Sequence, residues 1–207
     1  REHGVKNVFI TLWGDDGKEC SYFSVLPSLY YIKKIYDGEN DTGAIKQGFK
    51  QITGVDYDAI CALDLPNGVQ GGSKNNCNPS KYMLYSDPFS GFLDYTVKAG
   101  VNAEFASASR KLARKAKESG EFKYIFDCLK SLCDVLALKA ELGVKLRAAY
   151  KSGDKEELAV LVKDMKKIEK RLEVFFAAFK TLWYTDNKPQ GFEIQEVRLG
   201  GLMRRIK

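Results

Sequence analysis

Side chains that could take part in chemistry are densest between Trp13 and Glu19, where an indole ring is followed by three carboxylates. The carboxylates Asp15, Asp16 and Glu19 carry oxygen ligands of the kind that bind calcium. An EF-hand spreads its ligands over a long loop between helices, whereas a strand-like segment precedes this group, which disfavours a metal site. Asp15 and Asp16 also suit a turn or a helix cap before Ser21, and the residues by themselves favour that simpler role.

The composition excludes several kinds of catalytic chemistry. His3 is the only histidine, so this chain cannot build a Ser-His-Asp triad, a Cys-His pair or a multi-histidine metal site. The five cysteines show neither a C-x-x-C motif nor Cys/His ligand spacing, which predicts free thiols in a reducing compartment and hence a cytoplasmic protein. Gly200 and Gly201 lack the surrounding motif of a phosphate-binding loop. We therefore expect no metal and no cofactor.

The charge pattern indicates neither a nucleic acid nor a membrane as partner. The formal net charge of +6 arises from 33 basic and 27 acidic residues. The densest basic run, residues 110–117, is interrupted by Leu112, Ala113 and Ala116 at helical spacing, which favours a solvated helix face. No stretch approaches the roughly 18 consecutive apolar residues that a membrane span needs.

The elements that must position the carboxylates are one strand and one helix. Residues 5–12 (VKNVFITL) are β-branched and aromatic without helical periodicity, which predicts a strand buried on both faces. Apolar residues at helical spacing predict a helix over residues 21–36, with Pro27 in its first turn. A single strand needs neighbours for its backbone hydrogen bonds, and the chain offers no second convincing strand. We expect this unit to be the end of a barrel whose earlier part lies outside the chain.

The middle of the chain is predicted to be helical with one long loop. Short helices are expected over residues 41–65, with Asp56 as a cap, and a polar helix over residues 102–119. Residues 67–79 (NGVQGGSKNNCNP) are rich in glycine and asparagine, which predicts a flexible surface loop.

Two long helices are predicted over residues 121–152 and 154–183, forming an antiparallel hairpin. Asp154, followed by Glu157, has the spacing of a capping box at the start of the second helix. Apolar residues of that helix alternate at spacings of three and four, as in a helix–helix seam. The residues predicted to meet are Leu129, Leu132, Leu136, Leu161, Met165, Ile168 and Leu172. Residues 192–206 suit either a final helix or a partly extended segment.

Three segments resemble the C-terminal region of family 20 glycoside hydrolases, in the branch that has a helical domain after its catalytic barrel. They are LWGDDGKECSYFSVLPSL at 12–29, NPSKYMLYSDPFSGFLD at 78–94 and NKPQGFEIQEVRLGGLMRRI at 187–206. Their order and their spread over most of the chain make the combination specific. The resemblance implies a mainly α chain. Residues 1–37 would be the last βα unit of an incomplete (β/α)8 barrel, and residues 38–207 a helical C-terminal domain.

The resemblance also implies an activity, the retaining exo-hydrolysis of terminal β-linked GlcNAc or GalNAc, with the substrate's own acetamido oxygen as nucleophile. The catalytic Asp-Glu pair of that family follows the fourth barrel strand and is absent from this chain, so no catalytic residue is assigned and the chain alone is expected to be inactive. Trp13-Gly14-Asp15 matches the family's eighth-strand Trp-x-Glu or Trp-x-Asp pattern. It implies Trp13 as a wall of the sugar pocket, Asp15 as an acceptor of sugar hydroxyls, and Asp16 as a turn residue.

The sequence leaves two classes of function open. One is a β-N-acetylhexosaminidase, with a carbohydrate carrying a terminal N-acetylhexosamine and the missing barrel as partners. The other is a non-enzymatic helical interaction module that uses the heptads of residues 154–183. That stripe ends in four aromatic residues, Phe175, Phe176, Phe179 and Trp183. Because one partner helix would not cover so much apolar area, a homodimer is also predicted.

Overall fold

The computed structural model describes residues 3–13, 19–70 and 78–207 of the chain. Within those residues there are helices and turns and no strand. The helices are α1 (Leu26–Tyr36), α2 (Thr42–Thr53), α3 (Tyr57–Cys61), α4 (Pro79–Tyr85), α5 (Val101–Lys115), α6 (Lys123–Lys139), α7 (Leu142–Ser152), α8 (Lys155–Asp186) and α9 (Phe192–Ile206). In the part of the chain that is described, no helix is both long enough and apolar enough to cross a membrane.

The N-terminal residues 4–13 have no regular secondary structure and are exposed to solvent. Phe9, for example, is 91% exposed. The prediction of a strand buried on both faces at residues 5–12 is therefore wrong for this chain, because a lone strand has no neighbour for its backbone donors and acceptors. The assignment of these residues to a barrel stays a prediction.

The expected helices in the first half of the chain are confirmed. A 3₁₀ turn at Tyr22–Val25 leads into α1, and α2 and α3 fall within residues 41–65. Asp56 caps α3 as predicted, since its Oδ1 accepts a hydrogen bond from the backbone N–H of Ala59 at 2.9 Å. Most of the predicted loop at residues 67–79 lies outside the described residues.

Aromatic contacts hold the first three helices together. The ring of Phe49 on α2 lies between Tyr30 of α1 and Tyr57 of α3, with centroid distances of 5.6 and 5.3 Å and edge-on geometry. Aromatic rings prefer this arrangement because the positive edge of one ring meets the negative face of another. Helix α1, predicted to belong to a barrel, therefore packs on α2 and α3 in this chain.

Helix α6 is the centre of the fold and contacts α4, α5, α7 and α8. Most of its apolar residues are buried, as are those of α5 and α8 that face it. The largest fully buried side chains of these three helices are Phe105, Leu112, Ile125, Phe126, Leu136, Ile168 and Leu172. All seven residues predicted to lie between the two long helices belong to this core or pack against it.

The helix predicted over residues 121–152 is wrong in one respect, because it is divided between α6 and α7 at Ala140 and Glu141. The side-chain oxygen of Asn102 on α5 accepts a hydrogen bond from the backbone N–H of Glu141 at 3.1 Å. The backbone N–H of Asn102 in turn faces the Glu141 carboxylate at 3.4 Å. The backbone N–H of Glu141 thus has a hydrogen-bond partner on another helix. The helix ends here without a glycine or proline at Ala140 or Glu141. The antiparallel hairpin itself stays a prediction.

Helix α8 begins where its cap was predicted and ends under α9. Oδ1 of Asp154 accepts a hydrogen bond from the backbone N–H of Glu157 at 2.9 Å. At the other end, Phe192 of α9 packs against Phe179 and Trp183, with ring centroids 5.8 Å apart in both pairs. Residues 192–206 are therefore a helix, and the aromatic end of the heptad stripe is covered within the chain.

Candidate functional site

Glu19, four residues after the predicted sugar-binding residue Asp15, contacts two basic side chains. Nη1 of Arg198 on α9 donates a hydrogen bond to Oε1 of Glu19 at 2.7 Å. Nζ of Lys81 on α4 lies 3.5 Å from the same oxygen. The Glu19 side chain is only 16% exposed. Because a carboxylate removed from water needs paired charges, these two cations explain why Glu19 can lie against the helices.

An aromatic ring fixes the guanidinium of Arg198. Its Cζ lies 3.5 Å from the centre of the Tyr85 ring, and the Tyr85 hydroxyl donates a hydrogen bond to Oε1 of buried Gln195 at 2.9 Å. Burial, followed by the nearby Glu19 carboxylate, raises the pKa of Tyr85, so the phenol remains a donor at neutral pH. The planar cation is therefore oriented before it meets Glu19. We call Glu19, Lys81, Tyr85, Gln195 and Arg198 the Glu19 cluster.

Helical spacing brings the members of the Glu19 cluster together. Gln195 and Arg198 are three residues apart on α9, and Lys81 and Tyr85 are four apart on α4, so each pair shares a helix face. Helix α4 starts at Pro79, whose missing N–H is not needed in a first turn. Because α4 contacts α9, the two faces meet.

The chain that follows Glu19 is also attached to the core. Ser21 is 1% exposed, and its Oγ accepts a hydrogen bond from the backbone N–H of Phe23 at 3.2 Å. The Phe23 ring lies 5.7 Å from the ring of Phe122, just before α6. The path of the backbone from Glu19 into α1 is therefore fixed by the helical core.

The structure places the predicted sugar-binding residues only in part. Trp13 is 79% exposed, and its indole N–H donates a hydrogen bond to Oγ1 of Thr11 at 2.8 Å. Asp15 and Asp16 lie within residues 14–18, outside the described residues. Within the described chain, Trp13 is thus a surface residue, and Glu19 is the carboxylate of this group that the fold brings to other charged side chains.

Sequence reasoning missed Arg198 and Gln195 as functional candidates. Arg198 forms its ion pair with a residue 179 positions away, and no local pattern announces such a partner. The sequence leaves Lys81 and Tyr85 unassigned, because an aromatic core and a contact with a sugar or a partner both suit their spacing. The available signal was their spacing of four on a short helix, which puts a cation and an aromatic ring on the same face.

A second buried charge attaches α4 to α6. Lys139, the last residue of α6, is 3% exposed and donates hydrogen bonds to the carbonyl oxygens of Met83 at 2.8 Å and Ser86 at 2.6 Å. Burial lowers the pKa of Lys139 to about 7, and the nearby Asp87 opposes this effect. Its amine caps the carbonyl end of α4, where the helix dipole favours a positive charge.

Two further ion pairs fix the segment that follows α4. Arg205 of α9 donates a hydrogen bond from Nε to Oδ2 of Asp87 at 2.8 Å. Arg147 of α7 is paired with Asp94 and also donates from Nη1 to the carbonyl of Pro88 at 2.8 Å. The second segment that carries the family resemblance is thus connected to α6, α7 and α9.

The described residues include no group of three His, Cys, Asp or Glu side chains that could hold a metal ion. The four cysteines among them are free thiols. Burial raises the pKa of Cys128 and of Cys133, which keeps both thiols protonated and poorly nucleophilic.

These features define a helical domain to which the segment around Glu19 is attached. A family model described as Glycoside Hydrolase 20C C-terminal domain matches residues 55–207. The match covers more than half of the chain, and the chain belongs to this family. Arg198, Lys81 and Tyr85 lie inside the matched range, whereas Glu19 precedes it. No curated protein matches the sequence at a significant level.

Proposed function

We propose that the chain is the C-terminal region of a retaining exo-β-N-acetylhexosaminidase that removes terminal β-linked GlcNAc or GalNAc. The observation that carries this proposal is the family match over residues 55–207. The motif Trp13-Gly14-Asp15, which resembles the eighth-strand pattern of family 20 enzymes, precedes the matched range and supports it.

The roles proposed for this chain in the reaction are binding roles. The reaction is substrate-assisted, so the sugar's acetamido oxygen is the nucleophile. The general acid and the Asp that orients the acetamide belong to the barrel of the parent enzyme. The ring of Trp13 covers the C–H groups of the pyranose face, and the carboxylate of Asp15 accepts hydrogen bonds from sugar hydroxyls.

The barrel of the parent enzyme is the proposed partner of the N-terminal segment. Residues 5–13 expose a row of large apolar side chains, including Val5, Phe9 and Trp13. Such a segment is stable only when neighbouring strands use its backbone hydrogen-bonding groups and cover its side chains. Addition to the edge of an otherwise complete barrel meets both needs.

The surface that a non-enzymatic interaction module would use is not free in the described chain. Its heptad residues, among them Leu161, Ile168 and Leu172, are buried in the core. Phe175 and Phe179 are buried as well. This observation favours the enzyme over the interaction module.

We also propose a reducing compartment, in keeping with a cytoplasmic enzyme. Cys128 and Cys133 are buried on α6, and Cys20 and Cys61 are exposed free thiols. Exposed thiols are most compatible with a compartment that keeps cysteines reduced.

Activity of the chain and of its parent protein tests the proposal. The chain alone should release no nitrophenol from p-nitrophenyl β-N-acetylglucosaminide, because it lacks the general acid. The parent protein should turn this substrate over, and a GlcNAc-thiazoline inhibitor should abolish the turnover. The matched control is a parent whose general-acid Glu is changed to Gln. Inhibitor-sensitive turnover by the chain alone, or none by the parent, would contradict the proposal.

A further inference from the structure

The three segments with the family resemblance meet at the Glu19 cluster. Glu19 belongs to the first segment, Tyr85 to the second and Arg198 to the third. Their side chains form one connected group through the ion pair of Glu19 with Arg198 and the stacking of Arg198 on Tyr85. A connection between such distant parts of the chain determines how the N-terminal segment meets the helices.

The ion pair between Arg198 and Glu19 differs from an ordinary surface pair in that one partner is largely buried and the other, 36% exposed, is stacked on a ring. Exposed ion pairs contribute little, because two long side chains must be ordered to form them. Here the guanidinium is already ordered by the Tyr85 ring at 3.5 Å, and the Glu19 side chain is 16% exposed. Without Arg198, the partner left to this carboxylate would be Lys81, at 3.5 Å.

The residues proposed to bind the sugar are linked to Glu19 by a short stretch of chain. Fixing Glu19 therefore restricts how far from the helices those residues can lie. Glu19 follows Asp15 by four residues and Trp13 by six. Four residues span at most about 14 Å and six at most about 22 Å. A fixed Glu19 therefore limits how far Trp13 can lie from the helices. Without the ion pair to Arg198, the next attachment of the chain to the core is at buried Ser21, two residues further along.

A second ion pair on α9 provides a control for the contact between Arg198 and Glu19. Arg205, two turns further along α9, pairs with Asp87 at 2.8 Å and has its Cζ 5.1 Å from the centre of the Phe89 ring. It connects α9 to the residues that follow α4, as Arg198 connects α9 to α4 itself. What Arg198 adds to this attachment is its contact with Glu19.

We propose that Arg198 is a positioning residue of the hexosaminidase, which holds the sugar-binding segment in place through Glu19. Arg198 itself does not touch the substrate in this proposal. Its guanidinium, oriented by Tyr85, fixes the end of the segment that carries Trp13 and Asp15. This role rests on the proposed function, because it assigns a purpose to the same sugar pocket.

Hydrogen exchange tests the attachment without reference to activity. In the chain as given, Arg198→Met should raise the exchange rates of amides in residues 19–25, because the segment loses its hydrogen-bonded ion pair with α9. Arg205→Met is the matched control, since it removes an arginine with the same kind of partners from the same helix, and it should leave those amides unchanged. Equal exchange of residues 19–25 in both variants would overturn the proposal.

Kinetics of the parent enzyme test the positioning role. Arg198→Met should lower kcat/KM roughly tenfold with part of the loss in kcat, because a displaced pocket misplaces the reacting acetamide. Glu19→Gln should do the same, and the double variant should be within about twofold of either single variant, since both changes break one interaction. Arg205→Met should stay within about twofold of the unaltered enzyme.

Two contrary results have different meanings. An active parent in which Arg198→Met stays within about twofold, or in which both arginine variants lower kcat/KM and melting temperature equally, overturns the positioning role alone. An unaltered parent without turnover overturns the proposed function, and the positioning role with it.

Discussion

Two carboxylates close together in sequence, Asp15 and Glu19, have different proposed roles. Oε1 of Glu19 contacts both Arg198 and Lys81, so this carboxylate serves as an attachment to the helices. Asp15 keeps the role of accepting sugar hydroxyls. A carboxylate that is paired with cations inside the protein offers little to a ligand, so Glu19 is not proposed as a sugar-binding residue. An ionised carboxylate makes strong charge-assisted hydrogen bonds with hydroxyls, which is the role proposed for Asp15.

The charge of Asp15 should matter to the parent enzyme. Asp15→Asn keeps the shape and removes the charge, so kcat/KM should fall roughly tenfold to a few hundredfold, or about 1.5 to 3 kcal/mol. Asp16→Asn is the matched control and should have a much smaller effect. Trp13→Ala should lower both kcat and affinity, because a loosened ring also misplaces the acetamide. Steady-state kinetics measure these effects. If Asp15→Asn left kcat/KM unchanged and Asp16→Asn abolished activity, Asp16 and not Asp15 would be the sugar-binding carboxylate.

The buried amine of Lys139 should give the fold a measurable pH dependence. Burial lowers its pKa from 10.5 to about 7, so between these values the unfolded chain binds a proton that the folded chain has released. Stability from this group therefore increases as pH rises through that window. The unfolding free energy of the unaltered chain minus that of Lys139→Met should increase from about pH 7 to about pH 9.

Urea unfolding at several pH values measures this difference. Subtracting the unfolding free energy of the variant removes the contribution of other groups that titrate at high pH, such as the buried thiols of Cys128 and Cys133. Lys123→Met, which removes an exposed lysine from the same helix, is the control for the loss of a lysine as such. Parallel curves for the unaltered chain and Lys139→Met would show that Lys139 does not carry the effect.

Among the elements, α8 shows how one helix presents two different faces. Leu161, Ile168 and Leu172 point into the core, whereas Val160 and Val174 are exposed on the same helix. The apolar spacing of three and four selects the buried face because it follows the helical repeat. Valines off that stripe contribute little to the packing.

A pair of substitutions on α8 tests this division. Leu172→Ala removes methyl groups from a fully buried site and should lower the unfolding free energy by about 2 to 5 kcal/mol. Val174→Ala, two residues away and 63% exposed, should change it by less than about 0.5 kcal/mol. Chemical unfolding gives both values. A small loss for Leu172→Ala would mean that the face described as core is not tightly packed.

At the scale of the whole molecule, α9 covers much of the aromatic stripe from which a homodimer was predicted: Phe175 and Phe179 are buried, and Phe176 and Trp183 are partly buried. Phe192 covers Phe179 and Trp183, so that surface is used within the chain. The homodimer stays a proposal, and its apolar area must come from elsewhere. The N-terminal residues 5–13 are the longest run of exposed apolar side chains in the described part of the chain.

Light scattering on two versions of the protein tests self-association. If the N-terminal segment mediates it, the full chain should exceed its monomer mass of 23.3 kDa at high concentration. The chain without residues 1–13 should then be monomeric, with an unchanged unfolding midpoint. A monomeric full chain would contradict the homodimer. A dimeric truncated chain would place the interface on the helices.

The sequence by itself determined where most helices lie and where two of them begin. Asp56 and Asp154 cap α3 and α8 as predicted, because a cap acts on backbone groups two or three residues away. The apolar repeat of α8 likewise identified its buried face, since helical geometry alone sets that spacing. The three quoted segments indicated the family that the match over residues 55–207 then showed.

Only the tertiary structure decided the features that depend on distant partners. The break between α6 and α7 needs Asn102, which lies 39 positions from Glu141, and the Glu19 cluster needs Arg198, which lies 179 positions from Glu19. In the sequence, Lys139 has the pattern of an ordinary helix residue. Only the packing of α4 on α6 brings the carbonyl oxygens of Met83 and Ser86 to its amine. Local sequence sets the conformation of each helix, but the partner of a buried charge is set by packing, because only the assembled core removes that charge from water.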